Sequence, residues 1–136
     1  MRRSGLIFSG ANNAWLGKQL PSQVEDGILL AEEIAAMDLS GTGLVVLSAC
    51  ETGLGEASSE GMSGLQKAFK RAGVDKLIIS LAKVHDWATQ QFMTAFYGYL
   101  ADGYNVHQSF QLAKATMMES ESFSDPSYWA SFILLE

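Results

Sequence analysis

Cysteine, histidine and charge are all scarce in this sequence of 136 residues, which contains one cysteine and two histidines. A single cysteine cannot form a disulfide within the chain, and this fits a reducing compartment. One cysteine and two scattered histidines also lack the spacing of a metal site. We therefore expect neither a metal ion nor another cofactor.

Long hydrophobic runs and long basic runs are absent as well. No stretch approaches the roughly 18 consecutive apolar residues of a membrane-spanning helix, and too few apolar residues follow Arg2 and Arg3 for a secretion signal. The net charge is −6, and basic residues cluster only at 2–3 and 67–71, which argues against phosphate neutralisation. These absences predict a soluble cytoplasmic protein that binds neither membrane nor nucleic acid.

Apolar residues make up 48% of the chain and charged residues only 18%, which is little charge for a small soluble domain. We therefore expect part of the apolar surface to be covered by a partner, by a second copy of the chain or by further residues of the same fold. The length suffices for one domain, and no repeat or linker divides it. The sequence predicts a single domain over residues 1–136.

Two short apolar runs predict strands at the centre of an α/β sheet. Residues 44–49 and 76–81 lack polar alternation, as in strands that are buried on both faces. Between them Leu65, Phe69 and Ala72 recur at helical spacing, and Gly73 stands where that helix should end. Strand, helix and strand in this order predict a parallel pair with a right-handed crossover.

The remaining elements follow from periodicity and from turn residues. We expect strands near 6–8 and 28–30, and a short helix that buries Leu30, Ile34 and Met37. Two later helices are predicted with Asp86 and Asn105 as their caps. Their inward positions are Ala88, Phe92, Ala95, Phe96 and Tyr99 in the first, and Phe110, Ala113 and Met117 in the second. Residues 128–135 predict a last strand.

Cys50 lies where the first central strand should end, and ligands of open α/β sheets bind at the carboxyl ends of strands. A thiol acts as a nucleophile when a base or a positive field favours its thiolate. His85 follows the neighbouring strand and is a candidate base, whereas His107 near a helix start is a surface residue by the simplest interpretation. On position alone, the alternatives are an inert buried thiol and a loop histidine beside Asp86.

A series of spaced matches identifies a family that this chain resembles. The series is 26–34, 38–40, 44–55, 60–69, 72–73, 80–81, 83–84, Thr89, 96–97 and 128–132, with Ser48-Ala-Cys-Glu-Thr-Gly53 at its centre. These residues resemble the CHAT domain, a caspase-like cysteine-peptidase module of clan CD that is related to separase and often joined to tetratricopeptide repeats. The resemblance covers nearly the whole chain.

The resemblance implies a caspase-like α/β fold, a mostly parallel sheet flanked by helices, and a Cys–His dyad that cleaves protein or peptide substrates. By motif match Cys50 is the nucleophile, and its backbone N–H helps to stabilise the oxyanion. Glu51, Thr52 and Gly53 line the substrate cleft. The resemblance also implies regulation by a tetratricopeptide-repeat region or another protein region.

The chain departs from the family pattern at two places. The family's histidine lies in a His-Gly motif upstream of the nucleophile, and no histidine precedes Cys50 here. The family's Trp-Lys-Val-Asp-Asp reads Ala82-Lys-Val-His-Asp86. We therefore expect the nucleophile-bearing C-terminal portion of a CHAT domain, without the first strands and inactive in isolation. The alternative is a degenerate, non-catalytic interaction module, and an open sheet edge favours self-association.

Overall fold

The computed structural model describes residues 5–7, 16–17, 19, 28–47, 59–80 and 85–136, which form a mixed α/β fold. The strands are β1 (Gly5–Ile7), β2 (Ile28–Leu30), β3 (Leu44–Leu47), β4 (Lys76–Ser80) and β5 (Phe132–Leu135). The helices are α1 (Ala31–Ala36), α2 (Ser59–Arg71), α3 (Asp86–Ala101) and α4 (Val106–Glu119), and a 3₁₀ turn spans Pro126–Tyr128. The alternation of strands and helices agrees with the expected fold class.

The described residues belong to two compact units. The first contains those of 1–45 and 51–75, and the second contains 46–47 and those of 76–136. Strand β1 pairs antiparallel with β2 in the first unit. Strands β3, β4 and β5 are neighbours in that order in a second sheet.

The sequence predicts a mostly parallel sheet, but both strand pairs whose register the structure describes are antiparallel. Strand β5 runs antiparallel to β4, with Leu77 opposite Leu135 and Ser80 opposite Phe132. The reason is topological, because two helices in succession, rather than one, connect these strands and reverse the returning chain. The parallel pairing of β3 with β4 stays a prediction.

The first unit is organised by the packing of α1 against α2. Ala31 and Ile34 of α1 are buried, as are Leu65 and Phe69 of α2. The prediction that Met37 joins this face is wrong, since its side chain is 44% exposed. Helix α1 ends at Ala36, and the extended backbone of Met37 takes it out of the helical register.

Helix α2 ends as the sequence predicts, with Lys70 and Arg71 in its last turn and Gly73 beyond it. The N–H of Gly73 donates to Lys70 O and the N–H of Val74 donates to Phe69 O, which together are a Schellman motif. Gly73 has φ of +101° and lies directly against the backbone of Ser40.

The segment before β3 is hydrogen-bonded to the end of α2 and to the turn that follows it. The Leu39 N–H donates to Ala72 O at 2.8 Å, and the Asp75 N–H donates to Thr42 O at 3.3 Å. The chain that enters β3 is therefore fixed to this part of the first unit.

Three phenylalanine rings are in contact in the core of the second unit. Phe92 of α3 stacks on Phe132 of β5 with centroids 4.5 Å apart, and Phe110 of α4 meets Phe92 edge-on at 5.7 Å. Strand β4 is buried from Leu77 to Ser80. The inward positions predicted for α4 are confirmed, as are Ala88, Phe92 and Phe96 of α3, whereas Ala95 and Tyr99 are only half-buried.

Three local expectations differ from the structure. Asp86 is the first residue of α3 rather than its cap, and His85 takes the cap position without a side-chain hydrogen bond. Strand β5 begins only at Phe132, because the 3₁₀ turn Pro126–Tyr128 and its C-cap Trp129 occupy the start of the predicted strand. The described part of β3, Leu44–Leu47, is half-buried rather than covered on both faces.

Candidate active site

The predicted nucleophile follows a strand that the structure confirms in part. Strand β3 is described to Leu47, three positions before Cys50, and β4 is its neighbour in the sheet. Cys50 and the predicted cleft residues Glu51, Thr52 and Gly53 lie outside the described residues. Their roles therefore stay predictions.

His85, the candidate base within this chain, lies at the N-terminal end of α3. Its side chain is exposed, and its carbonyl oxygen accepts the first helical hydrogen bond from the Thr89 N–H at 2.9 Å. The imidazole meets the Tyr128 ring edge-on, with centroids 6.0 Å apart and planes at 85°. The pairing of His85 with Cys50 stays a prediction.

The turn that carries Tyr128 is capped by Asp125. The Asp125 carboxylate accepts a hydrogen bond from the Ser127 N–H at 2.8 Å, and the Ser127 bonds hold the carboxyl pKa below its usual value. Tyr128 is also in edge-on contact with Phe123, at 5.3 Å between centroids. The ionised form of Asp125 thus stabilises the turn on which His85 packs.

Sequence reasoning missed two features beside His85. The Thr89 hydroxyl is buried, and it has no hydrogen-bond partner among the described residues. Trp87 is 66% exposed in the first turn of α3. A threonine hydroxyl within a helix ordinarily bonds the carbonyl of the preceding turn. No signal in the sequence indicates that the Thr89 hydroxyl lacks such a bond. The buried hydroxyl lies one helical turn from His85.

His107 is a surface residue, as predicted. Its Nδ1 lies 3.1 Å from Glu136 Oε1, and both side chains are more than half exposed. Elsewhere in the described ranges, no three His, Cys, Asp or Glu side chains converge as metal ligands do. None of the helices described is both long enough and apolar enough to span a membrane.

A family model and two curated relatives match this chain. The family model described as CHAT domain matches residues 1–136. Mouse tetratricopeptide repeat protein 28 is 33% identical over 108 residues, which are 79% of this chain and 4% of that protein. The human protein of the same name is 30% identical over 112 residues, 82% of this chain and again 4% of the relative. The chain thus spans only a small part of these curated relatives.

Proposed function

The chain belongs to the CHAT domain family, and on that premise we propose that it carries the nucleophile of a cysteine endopeptidase. The support is the motif Ser48-Ala-Cys-Glu-Thr-Gly53, which begins directly after β3, a neighbour of β4 in the sheet. Loops that leave the carboxyl ends of such strands hold the reacting groups of α/β enzymes. The fold that we propose is caspase-like, with Glu51, Thr52 and Gly53 along the substrate cleft.

The proposed reaction has two steps. The Cys50 thiolate attacks the scissile carbonyl carbon, and the backbone N–H of Cys50 donates to the oxyanion. The tetrahedral species collapses to a thioester as the C–N bond breaks, and the leaving amine takes a proton from the imidazolium. Water then attacks the thioester while the imidazole accepts its proton, which releases the carboxylate product and restores the thiolate.

The source of the imidazole separates two forms of this proposal. In the first form, a histidine outside these 136 residues completes the dyad in the intact protein, and the isolated chain is inactive. In the second form, His85 acts as the base. The edge-on contact with Tyr128 holds the His85 ring beside the second unit's 3₁₀ turn.

Replacement of the nucleophile tests the peptidase proposal in the intact protein. We expect Cys50→Ala to abolish cleavage, because no other side chain of this chain carries a thiol. Cys50→Ser is the matched control, since it keeps size and hydrogen bonding but is a much weaker nucleophile. Cleavage by Cys50→Ala at the wild-type rate would refute the proposal.

The thiol itself reports whether a base acts on it. In the isolated chain, alkylation with iodoacetamide modifies a single cysteine, so its pH dependence gives the pKa of Cys50. A pKa well below about 8.5 indicates an activated thiolate. If His85 is the base, His85→Ala raises this pKa, whereas the control His107→Ala leaves it unchanged. An unchanged value in His85→Ala would remove the second form.

A non-catalytic interaction module is the second candidate function. It is favoured by an exposed aromatic side chain, Trp87, beside His85. This candidate predicts an ordinary thiol pKa in the intact protein and partner binding that survives Cys50→Ala. Loss of proteolysis in that variant excludes this candidate.

A cellular context completes the proposal. We propose a cytoplasmic protein whose substrate is a protein or peptide. The two curated relatives are named for tetratricopeptide repeats, and a repeat region is accordingly the regulatory partner that we propose. A second copy of the chain is a further candidate partner, and sedimentation at several concentrations measures it.

A further inference from the structure

Helix α3 presents an uncharged outer face to solvent. The residues of this outer face are exposed and recur at helical spacing over about four turns: Trp87, Gln90, Gln91, Thr94, Tyr97, Gly98 and Ala101. The Trp87 side chain is 66% exposed and that of Tyr97 is 50% exposed, whereas Asp86 is the one charged residue of the helix. Aromatic residues are enriched and charged residues are depleted at the centre of protein interfaces, so the outer face has the composition of an interface.

Gly98 is a glycine that the described part of the fold does not require. It lies in the interior of α3, its φ is not positive, and a Cβ there would meet no atom of the described residues within 4 Å. Glycine within a helix is less favourable than alanine, because it gives the unfolded backbone more freedom. Since no turn and no described neighbour needs the missing side chain, the space above Gly98 is open to the close approach of another chain.

The outer face is self-complementary about Thr94. Trp87 precedes Thr94 by seven residues and Ala101 follows it by seven, which is about 10 Å along the helix in each direction. Two copies of α3 that pack antiparallel around a twofold axis at Thr94 therefore place Trp87 of each copy against Ala101 and Gly98 of the other. A large side chain thus meets small ones on both sides of the axis.

The charges of the chain also favour a second copy at this face. The net charge is −6, so an uncharged face lets two copies meet without like charges in the contact, and a strongly charged partner would find no counter-charge there. Asp86 precedes Thr94 by eight residues and Asp102 follows it by eight. At 3.6 residues per turn they lie on opposite sides of the face, so the antiparallel pairing keeps these carboxylates apart.

We propose that the outer face of α3 pairs with the same face of a second copy, as antiparallel helices with the twofold axis at Thr94. The contact runs from Trp87 to Ala101, about 21 Å. Two helices in contact over this length form a small, transient interface, of the class that buries less than about 1,200 Å² in total. We therefore expect a weak dimer. The proposal specifies the second-copy partner proposed above, but it does not rest on peptidase activity, and Cys50→Ala should leave dimerisation unchanged.

Sedimentation equilibrium of the 136-residue chain from about 1 to 500 µM tests for this dimer. Thr94→Lys places two like charges at the axis and should weaken dimerisation at least about tenfold, and Thr94→Glu should do the same. An equal mixture of these two variants should associate more tightly than either alone, because the charges at the axis are then opposite. Gln111→Lys adds the same charge at an exposed position of α4, and this matched control should dimerise as wild type does.

Gly98→Leu separates the contact from the stability of the helix. Leucine favours a helix more than glycine does, so the urea midpoint of the monomeric chain should not fall. The added side chain occupies the space for Trp87 of the second copy and should weaken dimerisation about tenfold or more.

Three results would overturn the proposal. The first is a chain that is monomeric at about 500 µM, which would assign the outer face to another occupant. The second is a Thr94→Lys variant that dimerises as wild type does, which would place the contact elsewhere on the chain. The third is a mixture of Thr94→Lys with Thr94→Glu that associates no more tightly than either variant alone.

Discussion

Two glycines end helices in the same way but in different surroundings, and they provide a sharp test of the fold. Gly73 and Gly103 have φ of +101° and +99°, and each donates to the carbonyl three residues before it. A Cβ at Gly103 meets no atom of the described residues within 4 Å, whereas at Gly73 it would lie 2.9 Å from Ser40 Cα and 3.0 Å from Ser40 N. Replacement by alanine therefore adds the same backbone strain at both positions, and it adds a steric clash at Gly73 alone.

The expected magnitudes follow from these two contributions. A left-handed alanine costs about 1–2 kcal/mol, and the reduced entropy of the unfolded chain offsets about 0.4–1 kcal/mol of that. Gly103→Ala should thus lower the free energy of unfolding by about 1 kcal/mol. Overpacking adds about 1–3 kcal/mol, so Gly73→Ala should lose about 2–4 kcal/mol. The atoms that it approaches are backbone atoms, which cannot turn away as a side chain can.

Urea unfolding followed by far-ultraviolet circular dichroism measures both variants under the same conditions. The slope of the unfolding free energy with urea should stay constant, which shows that stability alone has changed. Equal losses for the two variants would refute the close approach of Gly73 to Ser40. A larger loss for Gly103→Ala would refute the assignment of both helix ends.

Two further changes test the second unit. Asn105→Ala should lower the free energy of unfolding by about 1 kcal/mol, because the Asn105 side chain accepts from the Gln108 N–H at 2.8 Å. Asn105→Asp is its control in urea unfolding and should keep most of the stability. Asp125→Asn should remove an acid-sensitive part of the stability: the folded-state pKa of Asp125 is depressed, so its contribution is present above the unfolded-state pKa and is lost as pH falls through the folded value. Stability measured from neutral to acidic pH should fall less in this variant, and equal pH profiles would contradict the cap.

Local signals predicted most elements of the fold. Strand β4, expected over residues 76–81, is Lys76–Ser80, because a continuous β-branched and leucine-rich run needs no tertiary information to favour a buried strand. Asn105 and Gly73 mark helix ends for equally local reasons, since each satisfies backbone groups within a few positions of itself.

Long-range structure was the part that the sequence did not reveal. The partial exposure of β3 depends on which elements cover it, and the direction of β5 depends on the two helices before it. The contact of His85 with Tyr128 joins residues far apart in the chain. For Cys50, Glu51, Thr52 and Gly53, the prediction came from family resemblance rather than from geometry.

The antiparallel pairing of β4 with β5 also has a kinetic consequence. Leu77 and Leu135 are register partners, yet both α3 and α4 lie between them along the chain. Closure of so long a loop is slow unless local contacts shorten it first. We therefore expect the α3–α4 hairpin to form early and β5 to join the sheet late. Destabilisation of the hairpin should then slow folding, and destabilisation of β5 should mainly accelerate unfolding.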